Sequence, residues 1–150
     1  GSGVLTGLVP RDAELWLDGG HNPSAGRAIA RAFSDINDRL SRPLVLIWGM
    51  LNTKDAGAFI ECFAGLAQRV VTVTIPDEPN AIPAEQLADI ARGHGLSAET
   101  AASLAKALGQ ASLITPAPRI LICGSLYLAG HVLSVHENTP MSGVSGAARR

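Results

Sequence analysis

Along this 150-residue chain, short apolar runs alternate with segments whose apolar residues recur at helical spacing. Parallel strands need long crossover connections, so such alternation predicts a mostly parallel sheet rather than hairpins. Glu14 to Leu17 reads as the first strand. Asn22 then offers a side-chain oxygen to the first helical amides and Pro23 a pre-set φ, predicting a helix with Ala25, Ile29, Phe33, Ile36 and Leu40 on its apolar side. Pro43 to Trp48 is the kind of run expected of a strand covered on both faces. After the loop from Gly49 to Lys54, a second helix is expected to bury Phe59, Cys62, Phe63 and Leu66.

Val70 to Ile75 is β-branched throughout, which predicts a strand ending at Pro76. A proline-bearing loop with Asn80 follows. Pro83 then opens a helix with Leu87 and Ile90 inward, stopped by Gly93 and Gly95. A further helix is expected from Ala98 to Leu108 with Ser97 as its cap, and Arg119 to Cys123 predicts a final buried strand before Gly124, Ser125 and a closing helix. The fold class implied is α/β: a Rossmann-like, mostly parallel sheet with helices on both faces. Gly1 to Gly3 read as a tag remnant, residues 4–135 as one domain, and the polar, Gly- and Ser-rich stretch 136–150 as a mobile tail.

Composition narrows the function classes. A hydrophobic content of 47% supports one packed core. With 12 Lys and Arg against 13 Asp and Glu, and no dense basic run in the predicted domain, nucleic-acid binding is not expected. Nor is a membrane role. The longest apolar runs fall far short of a bilayer span and no signal-type region opens the chain, so a cytoplasmic protein is expected. Cys62 and Cys123 are too few for a disulfide scaffold and are expected to be reduced and buried. His21, His94, His131 and His136 show no paired spacing, so no metal site is expected; His94 reads as a loop residue, His131 as surface and Tyr127 as core.

Ligands of open α/β sheets collect beyond the carboxyl ends of the strands. Four loops fit: Asp18 to Asn22, Gly49 to Lys54, Pro76 to Pro83, and Gly124 with Ser125. In the first, two glycines allow close backbone approach between a carboxylate and an imidazole. Asp18 suits ribose hydroxyls, and equally suits turn amides. His21 can donate to a phosphate or carboxylate, or serve only the loop. Lys54 can project to the rim or sit solvated, and Gly124–Ser125 can cradle an anion or simply cap a helix. The chain has no GxxxxGK[ST], GxGxxG or GxSxG motif, so a complete nucleotide site has to be shared with another unit.

Several dispersed segments together resemble a known family: Leu15-Trp16-Leu17-Asp18-Gly19-Gly20-His21-Asn22-Pro23, Gly49-Met50-Leu51 with Lys54-Asp55, Ile75-Pro76 to Pro83-Ala84-Glu85, and Gly124-Ser125-Leu126-Tyr127-Leu128-Ala129-Gly130. The likeness, over roughly residues 4–135, is to the C-terminal domain of bacterial folylpolyglutamate synthase/dihydrofolate synthase, in the Mur ligase superfamily. It implies an ATP- and Mg²⁺-dependent ligase of folate and one-carbon metabolism. A pterin-linked carboxylate of dihydropteroate or folate becomes an acyl phosphate, and the amine of L-glutamate displaces phosphate. The phosphate loop and Mg²⁺ ligands would lie in an N-terminal ATPase domain of the same polypeptide, over which this domain closes as a lid. On the same likeness Asp18 is the expected ATP contact, and His21, Ser125 and Lys54 are expected near glutamate or the phosphates. No catalytic residue is assigned to this chain, which is expected to be inactive alone. In the family a Glu is common where His131 stands. The rival reading is a stand-alone Rossmann-like module binding a small anion or nucleotide at the same rim, and a plain scaffold domain is the third.

Overall fold

The computed structural model describes residues 13–51, 55–114 and 117–135. In chain order the elements are β1 (Glu14–Leu17), α1 (Pro23–Arg39), β2 (Leu44–Trp48), α2 (Ala56–Glu61), β3 (Ala67–Thr72), α3 (Ala84–Gly93), β4 (Ala98–Thr100), α4 (Leu104–Ala111), β5 (Arg119–Cys123) and α5 (Leu126–Val135). The five strands form one sheet in the order β1-β5-β2-β3-β4, and every neighbouring pair is parallel. The expected Rossmann-like α/β class is therefore observed. Because β5 inserts between β1 and β2, the turns that follow these three strands become neighbours on one edge of the sheet.

Alternation along the strands splits the core in two. Leu15, Leu17, Val45, Ile47, Ile120 and Ile122 face α4 and α5, where they meet Leu104, Leu108, Leu128 and Val132. Leu46, Trp48, Val70, Leu121 and Cys123 face the other way, onto Ile29 and Phe33 of α1, Phe59 and Ile60 of α2, and Leu87 of α3. Each central strand is thus buried on both sides, which is why β2 and β5 read as unbroken apolar runs. The α1 start is as expected: Asn22 Oδ1 accepts from Ala25 N at 2.8 Å. No helix among the described residues is long and apolar enough to cross a membrane.

Three predicted elements are corrected. The helix expected from Ala98 is instead the short edge strand β4, and α4 begins at Leu104 under Ser103, whose Oγ accepts from Lys106 N at 3.1 Å. Ser97 caps nothing of the kind; its carbonyl receives Val70 N at 2.9 Å and leads β4 onto β3. Next, β3 starts at Ala67 and ends at Thr72, three residues before the end of the β-branched run. Val73 still donates to the Trp48 carbonyl at 3.0 Å, but Val73 and Ile75 continue as buried packing residues outside the ladder. Finally, α2 stops at Glu61. Turns carry the chain to Gly65, whose φ of +79° reverses it, leaving Phe63 buried but Cys62 and Leu66 only half-buried. Burial pushes the thiols of Cys62 and Cys123 up; the Asp18 charge adds to the shift at Cys123, and Arg27 partly offsets that at Cys62.

Candidate functional site

A cavity of about 440 Å³ opens at the carboxyl edge of the sheet. The β1 turn contributes His21 and Asn22, the β5 turn Gly124 and Ser125, and the β2 turn Met50, Leu51 and Asp55. Leu126 and Tyr127 from α5 close one wall, and Asn80 from the loop after β3 forms another. All four loops flagged as rim loops border this edge, although Asp77 lies away from the cavity, beside Pro76 and Glu78 in a more open hollow.

The β1 turn is held from below. Asp18 is 6% exposed, its backbone N–H donates to Ile122 O at 3.0 Å, and its Oδ1 accepts from Gly20 N at 2.9 Å. The carboxylate thus accepts a turn amide, the second of the two uses it suits. It does not border the cavity itself. A Cβ at Gly19 would run into Leu126, and one at Gly20 into the Ala25 methyl, so the two glycines let the turn lie flat against α1 and α5. His21, by contrast, is exposed, and its imidazole makes no hydrogen bond or ion pair among the described residues.

The β5 turn is a tighter fit. Gly124 has φ +108°, and a Cβ there would overlap the Gly49 carbonyl and the Trp48 indole. That close approach brings the β2 and β5 turns into contact and sets Ser125 at the floor of the cavity. Ser125 is 3% exposed, and its Oγ accepts from Tyr127 N at 3.0 Å and Leu128 N at 3.4 Å. The hydroxyl thus occupies amides that would otherwise cradle an anion, and keeps its own proton to donate. Tyr127, expected in the core, is 56% exposed on the cavity wall beside Leu126 at 65%. The apolar side of α5 is carried instead by Leu128, Ala129 and Val132. His131 is half-buried, and Lys54 lies outside the described residues.

Asn80 is a cavity residue that the sequence pattern does not single out. Its position comes from pairing between loops: Ile82 N donates to Met50 O at 2.9 Å, and Leu51 and Ala81 form an antiparallel bridge. A contact spanning thirty residues leaves no local trace beyond the prolines that stiffen the loop. His94, read as a loop residue, ends α3 and sits over Gly57, with Nδ1 3.5 Å from Glu61 Oε2. It ties α2 to α3 away from the cavity. No group of three or more His, Cys, Asp or Glu side chains among the described residues is placed to hold a metal ion. Nor does a described Lys or Arg border the cavity, so its polar character comes from an imidazole, two carboxamides, a carboxylate and the hydroxyls of Ser125 and Tyr127.

Comparison with known proteins fits this arrangement. Folylpolyglutamate synthase of Lacticaseibacillus casei is 30% identical over 116 residues, covering 77% of this chain and 25% of the relative. The chain thus spans about a quarter of that relative's length. Among solved structures, E. coli FolC in complex with DHPP and ADP superposes with a TM-score of 0.73 at 21% identity, over 87% of this chain and 30% of the other. Mycobacterium tuberculosis folylpolyglutamate synthase complexed with ADP and AMPPCP gives 0.67 at 23%, over 83% and 30%. At these identities the two structures speak for the fold alone. The profile of the family described as Mur ligase, glutamate ligase domain, matches residues 6–126, and this chain belongs to that family.

Proposed function

We propose that residues 4–135 are the C-terminal lid domain of an ATP-dependent ligase that joins L-glutamate to dihydropteroate or folate through an acyl phosphate. The observation that carries the reading is the cavity at the carboxyl edge, where the exposed His21 and the Ser125 hydroxyl converge in a chain of this family. The resemblance assigns those two positions to the incoming amino acid or the phosphates. Their chemistry suits it: an imidazole and a hydroxyl can both donate to a carboxylate. In the reaction the glutamate nitrogen attacks the acyl carbon, the carbon–oxygen bond to phosphate breaks, and the nitrogen loses a proton. The lid's part is to hold the amine donor in line and keep water from the acyl phosphate.

Nucleotide chemistry is shared. Asp18 is the proposed ATP contact; with its carboxylate tied to the Gly20 amide and nearly buried, it can meet a ribose only at an exposed edge of the turn. Activating a γ-phosphoryl needs backbone amides, a lysine and Mg²⁺ together. The described residues do not fit a metal ion, so Mg²⁺ belongs in this reading to the N-terminal ATPase domain. The FolC and folylpolyglutamate synthase neighbours were solved with ADP and with ADP and AMPPCP, and the same nucleotide use by the whole enzyme is part of this proposal.

The test is an assay of ADP release and glutamylated product from the purified chain, with and without the ATPase domain of its own polypeptide. The expected result is no turnover by the chain alone and ATP- and glutamate-dependent ligation when the two are joined. Robust turnover by the chain alone, or no glutamate dependence in the joined protein, overturns the reading.

A further inference from the structure

The loop between β3 and α3 has more fixings than a connection needs. Thr74 Oγ1 accepts from Ala84 N at 2.9 Å, Thr72 Oγ1 donates to Ala84 O at 2.8 Å, and Ala81 N donates to Glu78 O at 3.0 Å. Ile75 and Ile82, at 2% and 3% exposure, anchor its two ends in the core, and Pro76, Pro79 and Pro83 limit its backbone freedom. The Ile82–Met50 hydrogen bond and the Leu51–Ala81 bridge then draw it sideways over the β2 turn. Held at the tip is Asn80, an exposed carboxamide that makes no hydrogen bond among the described residues and borders the cavity. Ordering a loop costs entropy, and here that cost is met during folding, before any ligand arrives.

Strand order sets the distance involved. Ser125 follows β5, and the Leu51–Ala81 bridge lies on the far side of β2, so the two polar ends of the cavity are one to two strand spacings apart, roughly 5–10 Å. A dicarboxylic amino acid has carboxyl groups roughly 5 Å apart when extended. With one hydrogen bond of about 2.9 Å at either end, it spans that interval.

We infer that Asn80 is a specificity-determining residue, whose carboxamide N–H groups receive the side-chain carboxylate of the incoming amino acid while His21 and Ser125 face its other end. This rests on the glutamate reading above and adds to it the residue that measures the length and charge of the side chain. A neutral amide suits the role: it donates to the carboxylate without drawing in the phosphates that a fixed cation would attract.

The experiment compares L-glutamate with L-norvaline, which carries a methyl group in place of the distal carboxylate, as substrates of the full-length ligase. Asn80→Ala and Asn80→Asp are measured against the parent, with thermal melting as the check on folding. Asn80→Ala is expected to lower kcat/KM for glutamate about 10- to 100-fold and leave norvaline and the KM for ATP unchanged. Asn80→Asp, which sets like charges together, should lose more. An unchanged glutamate-to-norvaline ratio in Asn80→Ala overturns the inference while leaving the glutamate reading intact. A parent enzyme that does not use glutamate at all removes both, and a loss confined to the KM for ATP reassigns Asn80 to the nucleotide.

Discussion

The two edges of the sheet treat their polar groups in opposite ways. At the amino edge, Arg119 is 1% exposed, and its guanidinium is used up by protein partners. Nε donates to Glu14 Oε1 at 2.8 Å, while Nη2 donates to Leu40 O at 3.0 Å and to Glu14 Oε2 at 3.4 Å. Trp16 Nε1 donates to the same carboxylate at 3.0 Å, and Arg42 Nε lies 3.4 Å from it. Glu14 and Arg119 are register partners on β1 and β5, and Leu44 pairs with Arg119 from β2, so this network fastens the three strands whose turns build the cavity. At the carboxyl edge, His21 and Asn80 face open space with no partner among the described residues. The Arg119 network satisfies its polar groups internally and contributes stability, whereas the His21 and Asn80 side chains contribute little.

The sharpest way to break the contrast is Glu14→Ala. It would strand a buried guanidinium, at an expected cost of about 3–5 kcal/mol. Urea unfolding should show a lower midpoint at unchanged slope. The same pair predicts the acid response. Burial raises the Glu14 carboxyl, but hydrogen bonds from Arg119 and Trp16 and the charges of Arg119 and Arg42 outweigh it and hold the group below its ordinary value of 4.5. A depressed folded value means that the contribution is complete above the unfolded value and lost as pH falls through the folded one. Stability should therefore drop below about pH 4.5 in the parent, and Glu14→Gln should flatten that part of the curve.

Gly124→Ala comes next, because it attacks the contact between the β2 and β5 turns at the carboxyl edge. A side chain there meets the Gly49 carbonyl and the Trp48 indole at a φ of +108°, for an expected loss of about 2–4 kcal/mol. Unlike Glu14→Ala it should also displace Ser125, so ligation in the full-length enzyme should fall further than the loss of folded protein accounts for. Equal losses in both would mean that the turn is only structural.

What the sequence makes legible follows the same division. β1, β2 and β5, with the capped start of α1, are readable because their signals are local: period-2 or unbroken apolar runs, Asn22 before Pro23, Gly124 before Ser125. β4 is not. Ala98, Glu99 and Thr100 are half-exposed edge residues followed by helix formers, and only pairing with Val70 to Thr72 makes them a strand. The cavity divides likewise. His21 and Ser125 stand beside strand-end glycines and can be found from spacing, whereas Asn80 and the outward turn of Tyr127 depend on contacts between loops and on which side of α5 the sheet covers.

The smallest stability effects should come from the β1 turn of the carboxyl edge, where Asp18 and His21, three residues apart, make the finest test. Asp18→Ala deprives the half-buried Gly20 amide of its acceptor, so about 1–2 kcal/mol of stability should be lost along with any contribution to nucleotide use. His21→Ala removes an exposed ring that bonds to nothing among the described residues, and its melting temperature should match the parent's, corresponding to less than about 0.5 kcal/mol. In the full-length ligase, however, His21→Ala should cut kcat/KM for glutamate by about tenfold or more, since a donor to a bound carboxylate is worth most where water is excluded. A side chain that costs the fold nothing and the reaction an order of magnitude is what a ligand-facing edge predicts. If His21→Ala instead melts early with glutamate kinetics unchanged, the imidazole serves the turn and the contrast between the two edges fails at its most exposed point.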